Sequence, residues 1–173
     1  MKRCLFTVIA SGLLFLTSCA AKVPASGSTP GRAGTPIENA LAYNASLADA
    51  NQTLATAATA ANKAGLLSIA ATSNVTSAQF TVADADGQVT AMLDAIAKCI
   101  SAAPANNATC KGSAAQLQTL VTRITANVST LDKAGELGIQ DAKTKQTVDT
   151  ALQTIATMAG LVFGTLQAGG LLQ

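Results

Sequence analysis

Val148, Leu152, Ile155, Ala159, Val162 and Leu166 follow one another at alternating steps of four and three. That spacing puts all six on one stripe of a helix, the seam it buries against partner helices. Leu117, Leu120, Ile124, Val128 and Leu131 make a second stripe, and Val89, Leu93, Ile96 and Ile100 a third. A fourth inward face is carried by Leu41, Leu47, Leu54, Ala58 and Ala61. A chain built this way folds by packing helix on helix. Its side chains are 49% hydrophobic but only 3% aromatic, so much of the apolar content is alanine and the helix contacts are made by small groups.

The helix boundaries carry local signals. Thr35, Pro36 and Glu38 form a capping box with proline at the first helical position. The first helix therefore runs from Pro36 to about Lys63 and stops at Gly65, a residue suited to a left-handed C-terminal cap. The second is predicted from about Ser77 to Ala102, with Thr76 and Gln79 as its capping box and a break or bend at Asp86-Gly87. Ser113 and Gln116 open the third, which ends at Gly135, and the fourth starts near Asp141.

The two halves of this region echo each other. Asn62-Lys63-Ala64-Gly65-x-Leu67 returns 70 residues later as Asp132-Lys133-Ala134-Gly135-x-Leu137, and the same offset sets Leu47 against Leu117 and Leu54 against Ile124. The expected fold is all-α, an antiparallel four-helix bundle built from two αα-hairpins over residues 36–173.

The first 18 residues do not belong to that fold. Lys2 and Arg3 precede an apolar run from Leu5 to Leu16, too short to span a bilayer and laid out like an export signal. The run ends in Leu16-Thr17-Ser18-Cys19, which resembles the lipobox of bacterial lipoproteins: an aliphatic residue, two small residues and a cysteine. The resemblance implies that Cys19 is lipidated and becomes the first residue of the mature chain. It also implies attachment to the membrane on the periplasmic or surface side. Where the organism has two membranes, Ala20 after the cysteine fits transfer to the outer membrane. Residues 19–35 then form the acylated cysteine and a linker rich in Pro, Gly and Ser, which buries too little apolar surface to fold alone. Lys2 and Arg3 account for the whole formal charge of +2, so the mature side chains balance to zero.

Cys99 and Cys110 bracket a Pro/Asn loop between the second and third helices. In an exported chain such a pair is expected to form a disulfide.

Composition excludes further classes. The chain has no histidine, hence no His-based triad and no imidazole metal site. It has no Lys/Arg cluster, which argues against nucleic acid as a partner. Asp84-Ala85-Asp86-Gly87 resembles a fragment of a calcium loop, but aligning Gly87 with the loop glycine puts Val82 and Leu93 at ligand positions, so the pattern fails. It reads instead as a solvated helix start or bend. No motif nominates a catalytic pair, neither Asp84 with Asp94 nor a Ser–Lys dyad, and no cofactor is implied.

From Thr150 to Gln173 there is no charged side chain. The stretch reads first as a bundle helix. Its second reading is a partner-binding or membrane face marked by Met158, Gly160, Leu161, Phe163 and Gly164, with Gly160 and Gly164 in a GxxxG step. Tyr43 reads as a packed residue at the core edge. The expected function is a non-enzymatic, lipid-anchored envelope bundle that acts structurally or by binding another envelope protein. The alternative is an envelope module holding an apolar small molecule or lipid between its helices.

Overall fold

The computed structural model describes residues 34–133, 139 and 141–173. The signal, Cys19 and the linker to residue 33 lie outside the described residues, as does the stretch Ala134 to Leu137 of the second Lys-Ala-Gly turn. Four helices make up the fold: α1 (Pro36–Lys63), α2 (Ile69–Ala102), α3 (Ala114–Lys133) and α4 (Ala142–Ala168). A short 3₁₀ segment, Pro104–Thr109, kinked at Asn106, joins α2 to α3.

The local signals act as the sequence implies at most ends. Thr35 Oγ1 accepts from the Glu38 N–H, and Glu38 Oε2 accepts from the Thr35 N–H at 2.8 Å, closing the capping box. Asp141 accepts from the Thr144 N–H at 2.7 Å to start α4, and Ser113 accepts from the Gln116 N–H ahead of α3. Helix α1 ends in a Schellman turn, where Leu66 N–H reaches Ala61 O, Gly65 N–H reaches Asn62 O, and Gly65 takes φ 69°. Helix α4 ends the same way, with Leu171 bonded to Leu166, Gly170 to Gln167, and Gly170 at φ 67°.

Helix α2 departs from expectation twice. It begins at Ile69, not Ser77, because Ser68 caps it by accepting from the Ala71 N–H at 3.1 Å. Thr76 and Gln79 therefore lie inside the helix, and Ala71 and Val75 continue the buried stripe upstream. Nor is there a break at Gly87. The helix runs through Asp86-Gly87 because Ala85 and Val89 on either side are buried in the core, and packing outweighs the roughly 1 kcal/mol that an interior glycine costs.

The seams of α3 and α4 are buried as read, from Leu117 to Leu131 and from Val148 to Leu166. Two residues shift: Leu41 and Ile100 are only half-buried, and on α1 the inward positions beside Leu41 are Ala40 and Asn44. Burial also repeats at the 70-residue offset. Ala58 and Val128, Ala61 and Leu131, Ala78 and Val148, Val82 and Leu152, Ala85 and Ile155, and Ile96 and Leu166 are all buried.

The four helices form an all-α bundle in which α1 packs on α2 and α4, and α3 packs on α2 and α4. Moving up α1 from Asn44 to Asn51 moves down α2 from Thr90 to Gln79, so this pair is antiparallel. Gly169 at the end of α4 abuts Pro36 at the start of α1, which makes that pair antiparallel too. The most extensive interface joins α1 to α4 rather than to its sequence neighbour α2. Small core residues on both helices, Ala40, Ala50 and Ala58 on one and Ala151 and Ala159 on the other, suit this closeness.

Candidate functional site: a polar seam between two helices

The feature that departs most from a simple apolar bundle lies between α1 and α2. Asn44 is the one buried polar residue among those described, at 6% exposure. Its Nδ2 donates to Thr90 Oγ1 at 2.8 Å. Two turns on, Asn51 Nδ2 donates to the Gln79 carbonyl oxygen at 3.3 Å. Asp86, one turn before Thr90, is half-buried on the same helix. Four buried polar atoms of this seam lack a partner: Asn44 Oδ1, Asn51 Oδ1, Gln79 Nε2 and Asp86 Oδ1. Such atoms cost more buried than paired. Burial raises the Asp86 pKa, and the Asn44 side chain opposes this only in part.

Three of these polar positions have aliphatic counterparts at the 70-residue offset. The positions 70 residues on from Asn44, Asn51 and Asp86 are Ala114, Val121 and Ala156, all half-buried on α3 and α4. At these three positions the offset exchanges polar for aliphatic side chains, whereas Gln79 corresponds to the charged Asp149. A polar residue in an otherwise apolar helix interface is best known as a device that fixes register at a cost in stability. The sequence carried a usable signal for this, since Asn44 and Asn51, and Gln79 and Asp86, are spaced by seven.

The residues read as candidates distribute as follows. Cys99 and Cys110 are joined as a disulfide with a Cα–Cα distance of 5.5 Å. The bond ties the end of α2 to the start of α3 beside a backbone clasp, in which Gly112 N–H donates to Leu171 O and Gln173 N–H donates to Gly112 O. The disulfide loop, the start of α1 and the end of α4 thereby share one end of the bundle.

The uncharged α4 stretch divides. Met158 and Phe163 are half-buried and pack against the core, whereas Gly160, Leu161 and Gly164 are exposed. Neither glycine supports a close helix approach within the bundle, since a Cβ at either would meet nothing within 4 Å. By length and composition α4 is apolar enough to cross a membrane; its seam from Val148 to Leu166 is core. Tyr43 packs at the core edge.

Asp84-Ala85-Asp86-Gly87 lies in the middle of α2 and is neither a helix start nor a bend. A continuous helix cannot wrap a cation as a calcium loop does. Asp84 pairs instead with Arg123 on α3 at 2.9 Å, an exposed pair of little energetic weight. Asp84 and Asp94 are separated by ten residues of α2, about 15 Å along the axis, too far to share a reacting atom. Among the described residues no three acidic or cysteine side chains gather as a metal site would require.

Two exposed apolar residues on α2, Phe80 and Ile69, were not singled out by the sequence reading. A shallow depression of about 360 Å³, open to solvent, lies on the outer surface of α1 beside Gln52, Thr56 and Lys63. Comparison of the chain with protein-family models, with curated proteins and with solved structures returns no match.

Proposed function

We propose that this chain is a lipid-anchored cell-envelope protein whose bundle serves a non-enzymatic, structural or protein-interaction role. The observation that carries this reading is Leu16-Thr17-Ser18-Cys19 at the end of a short apolar run. In this reading Cys19 carries the lipid, the linker spans the gap, and folding begins at the Thr35 cap. About 16 extended residues reach roughly 50 Å, enough to hold the bundle clear of the headgroups. The linker would then enter at the end that holds the disulfide and leave the opposite end free for a partner in the envelope. A disulfide between Cys99 and Cys110 suits an oxidising compartment.

The competing reading, an apolar ligand held between helices, has less support. Leu47, Leu54, Leu93, Leu117, Ile124 and Ile155 are fully buried in the bundle interior, and the depression on α1 is open rather than enclosed.

Mass spectrometry of the N-terminal peptide from membrane-extracted protein tests the anchor. Acyl chains on Cys19, and release of the Cys19→Ala variant into the soluble fraction, are expected. An unmodified Cys19 in the mature protein would sink the reading.

A further inference from the structure

We propose that the hydrogen bond from Asn44 to Thr90 decides which helix stands on which side of α1: it admits α2, and excludes the similar α4, on the side that Asn44 faces. Asn44 is 6% exposed, and its Nδ2 reaches Thr90 Oγ1 at 2.8 Å across 46 residues of chain. At the 70-residue offset the pair becomes Ala114 and Gly160, neither of which has a hydrogen-bonding side chain. Nothing at the matching place in the second hairpin can repeat the bond.

A repeated chain leaves its bundle an alternative. In the four-helix ring α1 neighbours α2 and α4, and exchanging those two about α1 keeps both in contact with it while reversing the hand of the ring. The apolar stripes do not forbid this. Ala78, Val82, Ala85 and Ile96 of α2 are matched in register by Val148, Leu152, Ile155 and Leu166 of α4, all of them buried. Side-chain size differs at the first three, but apolar interiors tolerate repacking and lose uniqueness before they lose stability. A buried amide is less forgiving. With α4 in the place of α2, Asn44 would meet Gly160 where Thr90 now stands, and its Nδ2 would lose its acceptor. Its Oδ1 is already without a partner, so the whole amide would be buried unpaired. That disfavours the exchanged ring on the order of ten- to a hundredfold.

Asn51, seven residues on, does not discriminate in this way. It donates to the Gln79 carbonyl oxygen, a backbone group that α4 would equally provide. The choice between the two rings therefore rests on the Thr90 hydroxyl, in the manner of a single polar residue that specifies one pairing within an apolar helix seam.

Amide NMR and thermal melts of the disulfide-intact protein test the selection. Thr90→Val removes the hydroxyl at nearly constant shape. It should lower the Tm and raise a second set of amide resonances, spread over both α2 and α4, by about tenfold or more. Thr90→Ser keeps the hydroxyl and should show the native set alone. Asn44→Leu replaces the amide with an apolar group of similar volume; it should keep or raise the Tm and still double the resonances. A single native set in both Thr90→Val and Asn44→Leu would overturn the proposal, because the bond would then stabilise one ring without selecting it. Doubling confined to the turns around position 90 would overturn it as well, since that reports a local change and not an exchange of helices.

Discussion

The ring of Pro36 occupies the space that a side chain on Gly169 would need: a Cβ there would lie 2.5 Å from Pro36 Cβ. The first helix can therefore start hard against the end of the last one. Gly169→Ala forces two rigid backbone segments apart and should cost about 1–3 kcal/mol, the usual range for overpacking. Gly87→Ala has the opposite sign, because nothing lies within 4 Å of its new Cβ and alanine favours a helix interior by about 1 kcal/mol. Denaturant unfolding of the two variants should move the midpoint in opposite directions.

The start of α2 can be tested by its cap. Ser68→Ala should lose about 1 kcal/mol with the bond to Ala71. Thr76→Ala, exposed and inside the helix, should change stability by less than about 0.5 kcal/mol. Equal losses in urea melts would return the boundary to the middle of the segment.

Reducing the Cys99–Cys110 bond, whose partners are 11 residues apart, should destabilise the bundle by about 3 kcal/mol on the chain-entropy model. Thermal melts with and without reductant give the number. No change in Tm would show that the clasp between Gly112 and Leu171 alone holds this end together.

Acid should act on the two carboxylate caps. Bonds from the Thr35 backbone and side chain lower the Glu38 pKa, and bonds from the Thr144 side chain and backbone lower that of Asp141. A depressed carboxylate contributes stability above its unfolded pKa, near 4, and loses that contribution as pH falls through the folded value. Stability from these caps should therefore decline below about pH 4. Melts of Asp141→Asn, which keeps a capping oxygen but does not titrate, should show a shallower acid decline than the native chain.

Core and surface should separate cleanly. Ile124→Ala, at a fully buried position, should cost about 2–5 kcal/mol. Phe80→Ala, 72% exposed, should stay within about 0.5 kcal/mol. A large loss at Phe80, read by chemical denaturation, would mean that it is covered in solution.

The features legible in the sequence were those decided locally. Thr35, Pro36, Glu38 and Gly65 act within one turn of the chain, and the α3 and α4 seams follow from helical spacing alone. The start of α2 was hidden because Ser68 has no Glu or Gln three residues on, and the segment after it mixes β-branched and polar residues. The continuity at Gly87 depends on what Ala85 and Val89 touch, which no local rule contains. The polar seam was missed for a related reason: an asparagine at an inward position reads as solvent-facing until its partners on another helix are known. Leu41 gave way to Ala40 and Asn44 because α1 meets two neighbours at once, and its inward face is wider than a single stripe.

The dominance of the α1–α4 interface bears on the order in which the chain gains its structure. Among the described helices the first in the chain makes its largest contact with the last, and such long-range closure is entropically demanding and slow to form. Until residues 142–168 are present, the alanine-rich face of α1 has no counterpart of its own. The largest single interface of the bundle therefore forms only across nearly the whole span of the described chain, between residues 36–63 and 142–168.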